Sequence, residues 1–438
     1  MFWKKLWSLN QEALWVVVGQ AGTAIGGLFC IKILTNVLGP GEFGRLVLAN
    51  TVVAFISTNF LFGPLGQGLM RFWSISRERG ELGAFYVISN RLGRNAIGLS
   101  IVVAIMVIAV VIPIEGYDWA ILLAISMATG ITAGWLWLRT SIFTAARQRQ
   151  RVAFLDIGNA FLKPIVATSL VLLITINSFW AMFGYLIATF VMVVLGERFY
   201  RSIVSYSESS LSKSENTMMG IRENILSFSW PFAAWGIFSW AHMSCDRWSL
   251  QTFYGVEVVG AYAVVSQLST FPLAFGSGFL STLFTPIAFQ KAGDITNRQN
   301  LVSANKILGT ITGFYILGAV ILVSLFSVFH YPLVLLISNI KFAKFSFFLP
   351  WLTIAWGLFY LGQTLSIFGL LAKRPHSYIM PKLASAILAV VGSFYLSSEI
   401  GPSGVVWGLA GAGFVYALWC GIIARRLLFA TRSEMPAA

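Results

Sequence analysis

Roughly twelve stretches of about 20 mostly apolar residues follow one another along this chain, and each is long enough to cross a bilayer as a helix. No motif limits the fold as tightly, because a backbone in lipid must satisfy its own hydrogen bonds, which a helix does internally. Composition agrees: with 57% hydrophobic and 11% charged residues, a 438-residue soluble protein could not hide its apolar surface. The predicted spans are 13–36, 45–69, 95–113, 119–143, 153–175, 179–200, 225–250, 257–281, 305–329, 349–371, 378–397 and 404–424. The expected fold is therefore an all-α polytopic membrane protein.

The connections between spans are short, except for a polar, Ser-rich stretch between the sixth and seventh spans. Its sequence, SYSESSLSKSENT, has too little apolar content to pack and reads as a linker. The chain thus divides into a six-helix bundle at 1–201, a linker at 202–222 and a second six-helix bundle at 223–438. An even number of spans per half makes the second half enter the membrane in the same direction as the first. The two bundles should then be related by a pseudo-two-fold axis along the membrane normal. Two short echoes support a duplication. Gly39 to Gly44 and Gly255 to Gly260 are Gly-x4-Gly segments about half a chain apart, and Leu61-Phe62-Gly63-Pro64 returns as Leu283-Phe284-Thr285-Pro286.

The net charge of +14 comes from short basic clusters between spans, not from one patch, so it argues topology and not nucleic-acid binding. Most of the 30 Lys and Arg residues fall on one side if both termini are cytoplasmic, and Arg45, Lys341 and Lys344 fall on the other. Lys4 and Lys5 precede the first span without an A-x-A site, which reads as an uncleaved first helix. Cys30, Cys245 and Cys420 lie in predicted spans without metal or redox spacing, and no metal or cofactor is expected. The apolar segment 331–348, with Lys341 and Lys344, suits an interfacial helix and an extension of a span equally well.

Ionisable side chains inside spans are expensive and face paired or wet surroundings. Lys32 lies about 10 Å along the helix from Gly39, and Arg247 holds a nearly equivalent place before Gly255. Two such cations would suit an anionic substrate group, with snorkelling to the interface as the alternative. Ser239, His242 and Asp246 share one helix face, a spacing that would serve proton exchange or, more simply, an interhelical hydrogen-bonded contact. Asp156, Asn159 and Lys163 repeat that spacing in the fifth span. Asp156 is read as a partner of the nearby arginines or as a proton carrier, and Lys163 as a cavity cation or a structural group. Gly22 and Gly26 suit a close helix crossing.

The segments Leu38-Gly39-Pro40-Gly41-Glu42-Phe43-Gly44, Gly66-Gln67-Gly68-Leu69-Met70-Arg71-Phe72, Ala145-Ala146-Arg147-Gln148 and Ala372-Lys373-Arg374-Pro375 resemble those of Wzx-type polysaccharide flippases of the MATE-like (MOP) superfamily. The second copy of the first segment, Gly255 to Gly260, lacks the proline. The resemblance implies a non-enzymatic carrier in a bacterial inner membrane, working by alternating access. It would move an undecaprenyl-diphosphate-linked oligosaccharide, destined for O-antigen, capsule or exopolysaccharide, from the cytoplasmic to the outer face. Its partners would be the lipid-linked glycan, membrane lipids, and polysaccharide polymerase and chain-length proteins. A MATE-like cation antiporter would be expected to show an acidic cavity. A membrane-embedded glycan polymerase or ligase would be expected to show a large polar outer loop.

Overall fold

The computed structural model describes residues 2–207, 215–292, 298–372 and 374–433, all of them helix or short turn. The elements are α1 (Phe2–Val37), α2 (Pro40–Ala54), a π-turn (Phe55–Phe60), α3 (Phe62–Glu78), α4 (Leu82–Glu115), α5 (Tyr117–Ala145), α6 (Arg149–Leu173) and α7 (Ser178–Ser207). They continue as α8 (Glu215–Ala292), α9 (Arg298–Ile337), a 3-10 segment (Ile340–Phe348), α10 (Leu349–Leu371), α11 (Ile379–Ile400) and α12 (Ser403–Ser433). Among the described residues, 11 helical segments are long and apolar enough to cross a membrane. One of these, within α8, spans 67 residues and holds two passes.

Gly255 divides those two passes. Its φ of 77° and ψ of 175° lie where only glycine sits without strain. The Tyr262 hydroxyl reaches the Asp246 carboxylate at 2.8 Å, although the two residues would be about 24 Å apart on a continuous helix. The chain therefore folds back on itself at one residue. Gly116 (φ 84°) and Gly401 (φ 82°) turn the chain between α4 and α5 and between α11 and α12. No neighbouring atom blocks a Cβ at 255, so Gly255→Ala isolates backbone strain. We expect it to cost about 1–3 kcal/mol, read as a lower melting temperature of the purified protein.

The chain forms two compact units, residues 1–240 and 241–438. In the first unit, α5 packs against α2, α3, α4 and α7, and α1 lies along α6. Gly22 and Gly26 face Ile157 and Ala160, where an added Cβ would come within 2.7 Å, so these glycines set the close crossing. The second span is not one helix: a π-turn and a break at Leu61 separate α2 from α3. The Asn59 side-chain amide donates to the Ala54 carbonyl at 2.9 Å, and the Ser57 hydroxyl to the Val53 carbonyl at 2.7 Å. These bonds occupy carbonyls that the wider turn releases. Residues 215–240 of α8 complete this unit. Ile225 packs at Gly68, Gly236 lies directly on the Asn59 carbonyl, and the Trp240 indole donates to the Thr51 carbonyl at 2.8 Å.

The second unit holds the rest of α8 with α9 to α12. A Cβ on Gly392 would lie 3.2 Å from the Gly408 Cα, so α11 and α12 meet nearly backbone to backbone. The 331–348 segment is neither a single interfacial helix nor a simple extension. α9 continues through a break at Phe329 to Ile337, and a 3-10 turn then carries Lys341 and Lys344 into α10. Two other sequence readings shift. The Ser-rich linker is helical at both described ends, 202–207 and 215–222, while 208–214, with Lys213, lies outside the described residues, as does Lys373. The echo of Leu61 to Pro64 is not structural: the first copy ends the π-turn, and the second lies within continuous helix.

Candidate functional site

A polar cavity of about 280 Å³ lies within the first unit. The helical period puts Asp156, Asn159 and Lys163 of α6 on one wall of it, as their spacing predicts. The facing wall comes from the broken second span, with Asn50, Ser57 and Thr58, and from α5, with Trp137 and Thr140. The Thr189 hydroxyl, which donates to the Tyr185 carbonyl at 2.7 Å, lies 3.3 Å from the Asn159 side-chain oxygen. The Lys163 ammonium lies 5.7 Å from the centre of the Tyr185 ring, and the Tyr185 hydroxyl is 3.0 Å from the Cys30 sulfur. The cavity thus combines one cation, one carboxylate and a set of amides and hydroxyls, groups that together can hold both an anion and sugar hydroxyls.

The arginine partnership expected for Asp156 does not form. Arg151 instead turns to α7, donating to the Phe199 carbonyl and the Ser202 hydroxyl, each at 3.1 Å. Asp156 has no ion pair among the described residues and is exposed to the cavity. Lys32 is half-buried on α1 and does not line this cavity.

In the second unit, His242 and Asp246 are buried with separate partners. The His242 Nδ1 lies 3.0 Å from the Ser385 hydroxyl, and its ring stacks on Phe359 at 4.3 Å. Asp246, 0% exposed, accepts from the Tyr262 hydroxyl and from the Arg247 backbone N–H, both at 2.8 Å. Both residues thus make the interhelical contacts of the simpler reading, and they do not bond to each other. The Arg247 guanidinium donates to the Met243 carbonyl at 2.8 Å and is 4.0 Å from Asp246, while its Nε has no partner among the described residues.

Two charged groups escape sequence reading because they sit near span ends, where a basic residue counts toward topology. Arg139, 3% exposed, donates to Glu197 at 2.5 Å and lies over the Tyr200 ring at 3.8 Å, and the Trp135 indole donates to the same carboxylate. Lys382, 1% exposed, lies 4.2 Å from the centre of the Phe359 ring and 5.1 Å from that of Tyr416. Trp135, one helical turn before Arg139, is a trace of this in the sequence, whereas Phe359 and Tyr416 lie far along the chain from Lys382.

Bundled apolar spans, one bundle of them lined by a polar cavity, define a multi-pass membrane protein. The fold is similar to that of an outward-facing multidrug resistance MATE family transporter of the MOP superfamily, at 13% identity and a TM-score of 0.63, covering 97% of this chain and 96% of that one. An inward-facing form of such a transporter gives 12% identity, a TM-score of 0.66 and the same coverage. A MOP superfamily transporter from Pyrococcus furiosus, described as having a binding pocket of reverse polarity, gives 12% and 0.66 over 95% of each chain. The chain belongs to the polysaccharide biosynthesis protein family, whose model matches residues 9–290, and this is the Wzx-type flippase family to which its motifs point. No curated protein matches it.

Proposed function

We propose that this protein carries an undecaprenyl-diphosphate-linked oligosaccharide from the cytoplasmic to the outer face of a bacterial inner membrane by alternating access, with both termini cytoplasmic. The observation that carries this reading is the first-unit cavity, in which Lys163 stands among Asn50, Asn159, Thr58 and Thr140 in a member of a polysaccharide family. A head group that leaves water needs a cation for its diphosphate and hydrogen-bonding groups for its sugars. Lys163 serves the first need here, with Lys32 and Arg247 assigned the same role. Amides and hydroxyls serve the second. Asp156, His242 and Asp246 are the candidates for proton coupling, and Asp156 lines the first-unit cavity.

Depletion of the protein in cells should leave the lipid-linked oligosaccharide assembled and stranded on the inner leaflet. The measurement is lipid extraction combined with accessibility of the glycan to an impermeant label in intact cells. Failure to assemble the repeat unit at all would replace this reading with a biosynthetic one. The second reading, a cation antiporter, is favoured by the single carboxylate of Asp156 in the same cavity. It requires drug or cation efflux that collapses in Asp156→Asn while glycan display is unchanged.

A further inference from the structure

A second pocket, of about 170 Å³, opens at one end of the first unit, where α5 and α7 begin and α2 makes its second turn. Its position at the ends of spans places it at a membrane interface, whichever leaflet that is. Arg45 and Asp118 bring opposite charges to it, and Trp119, Asn177 and Phe179 complete the polar and aromatic wall.

The charges there are only partly engaged within the protein. The Arg45 guanidinium approaches Glu42 only at 3.9 Å, beyond hydrogen-bond length, and lies 5.8 Å from the centre of the Trp119 ring. Glu42 is itself engaged, its Oε2 accepting from the Ser178 backbone N–H at 2.7 Å. Asp118 has no ion pair among the described residues. Ile121 also lines the pocket and is 47% exposed, and Tyr117, Leu173, Ile174 and Ile176, near the pocket-lining residues in the chain, are exposed as well. A water-soluble sugar would not favour such an apolar border, whereas a lipid would lay its acyl chains on it.

We propose that this pocket binds the headgroup of a zwitterionic, amine-bearing phospholipid of the phosphatidylethanolamine type. Arg45 takes the phosphate through its forked N–H groups, and Asp118 takes the ammonium, with the Trp119 indole beside it. The site is separate from the cavity that holds Asp156 and Lys163, so it concerns the protein's lipid neighbours and not its cargo. It does not depend on the flippase reading.

The test is native mass spectrometry of the detergent-solubilised full chain with phosphatidylethanolamine, phosphatidylcholine, phosphatidylglycerol or phosphatidic acid added at equal concentration. Phosphatidylethanolamine should be retained at least fivefold more than the others. Asp118→Asn should abolish that preference while sparing phosphatidic acid, which lacks the ammonium, and Arg45→Gln should lower retention of all four lipids, since each carries the phosphate. Unchanged melting temperatures of the variants would show that folding is not the cause. Equal retention of all four lipids would overturn the proposal. So would a preference that survives the double variant, or displacement of the lipid by a free oligosaccharide at the same site. If a variant does not fold, wild-type retention of phosphatidylethanolamine over phosphatidylcholine decides the matter, because methylation removes the ammonium N–H donors that Asp118 would accept.

Discussion

Lys163→Gln should lower translocation of lipid-linked glycan in proteoliposomes by roughly 10- to 100-fold, at equal amounts of folded protein. The size follows from a charge-assisted contact worth about 1.5–3 kcal/mol. Lys163→Arg keeps the charge and should recover part of the rate. A structural role through the nearby Tyr185 ring would act differently, lowering the melting temperature and the yield of both variants while leaving the rate per folded molecule intact. The same assay bears on Lys32 and Arg247. Loss of rate in Lys32→Gln with retention in Lys32→Arg would assign it to the substrate, and unchanged translocation in the Lys32→Gln, Arg247→Gln pair would leave Lys32 as a snorkelling cation and Arg247 to its contacts with Met243 and Asp246.

Gly236→Leu is expected to disable the first unit outright. Even the Cβ of such a residue would overlap the Asn59 carbonyl oxygen, which belongs to backbone and cannot rotate away. Relief requires α8 to move off the π-turn, losing the bond from the Trp240 indole to the Thr51 carbonyl and the packing of Phe55 on Trp240 at 4.9 Å. Overpacking of this kind costs about 1–3 kcal/mol where side chains can yield and more where backbone must. The expected result is a large fall in melting temperature or no recoverable protein. Gly220→Ala serves as the control in the same helix, since nothing lies within 4 Å of its added Cβ. Alanine there should be neutral or stabilising by up to about 1 kcal/mol. Equal behaviour of the two variants would show that the close approach at Gly236 carries no weight.

How much of this could be read from sequence depends on which residues carry a period. Asp156, Asn159 and Lys163 were legible as one polar face, because i, i+3, i+7 fixes a common side on any helix. Their surroundings were not legible. Asn50 and Thr58 join them across distances that only tertiary packing sets, and the π-turn that presents Thr58 leaves no mark in hydropathy. The count of spans was accessible because apolar length has a physical unit, the bilayer thickness. The ends of the helices were less so: α4 runs from Leu82 to Glu115, well beyond its apolar run at 95–113. The partners of Arg139 and Lys382 were hidden for one reason. A basic residue near a span end looks like a topological charge until the structure supplies a carboxylate or an aromatic cage around it.

The three turns at Gly116, Gly255 and Gly401 also decide which parts of the chain can travel separately. Adjacent passes joined through one or two residues have almost no slack, so each pair translates and tilts as a single stiff hairpin. In the proposed transport cycle, shape change would then fall where the helical ladder is already interrupted within a pass, at the π-turn with Leu61 and at Phe329 with Pro332. These two places are the joints of the molecule, and the glycines are its welds.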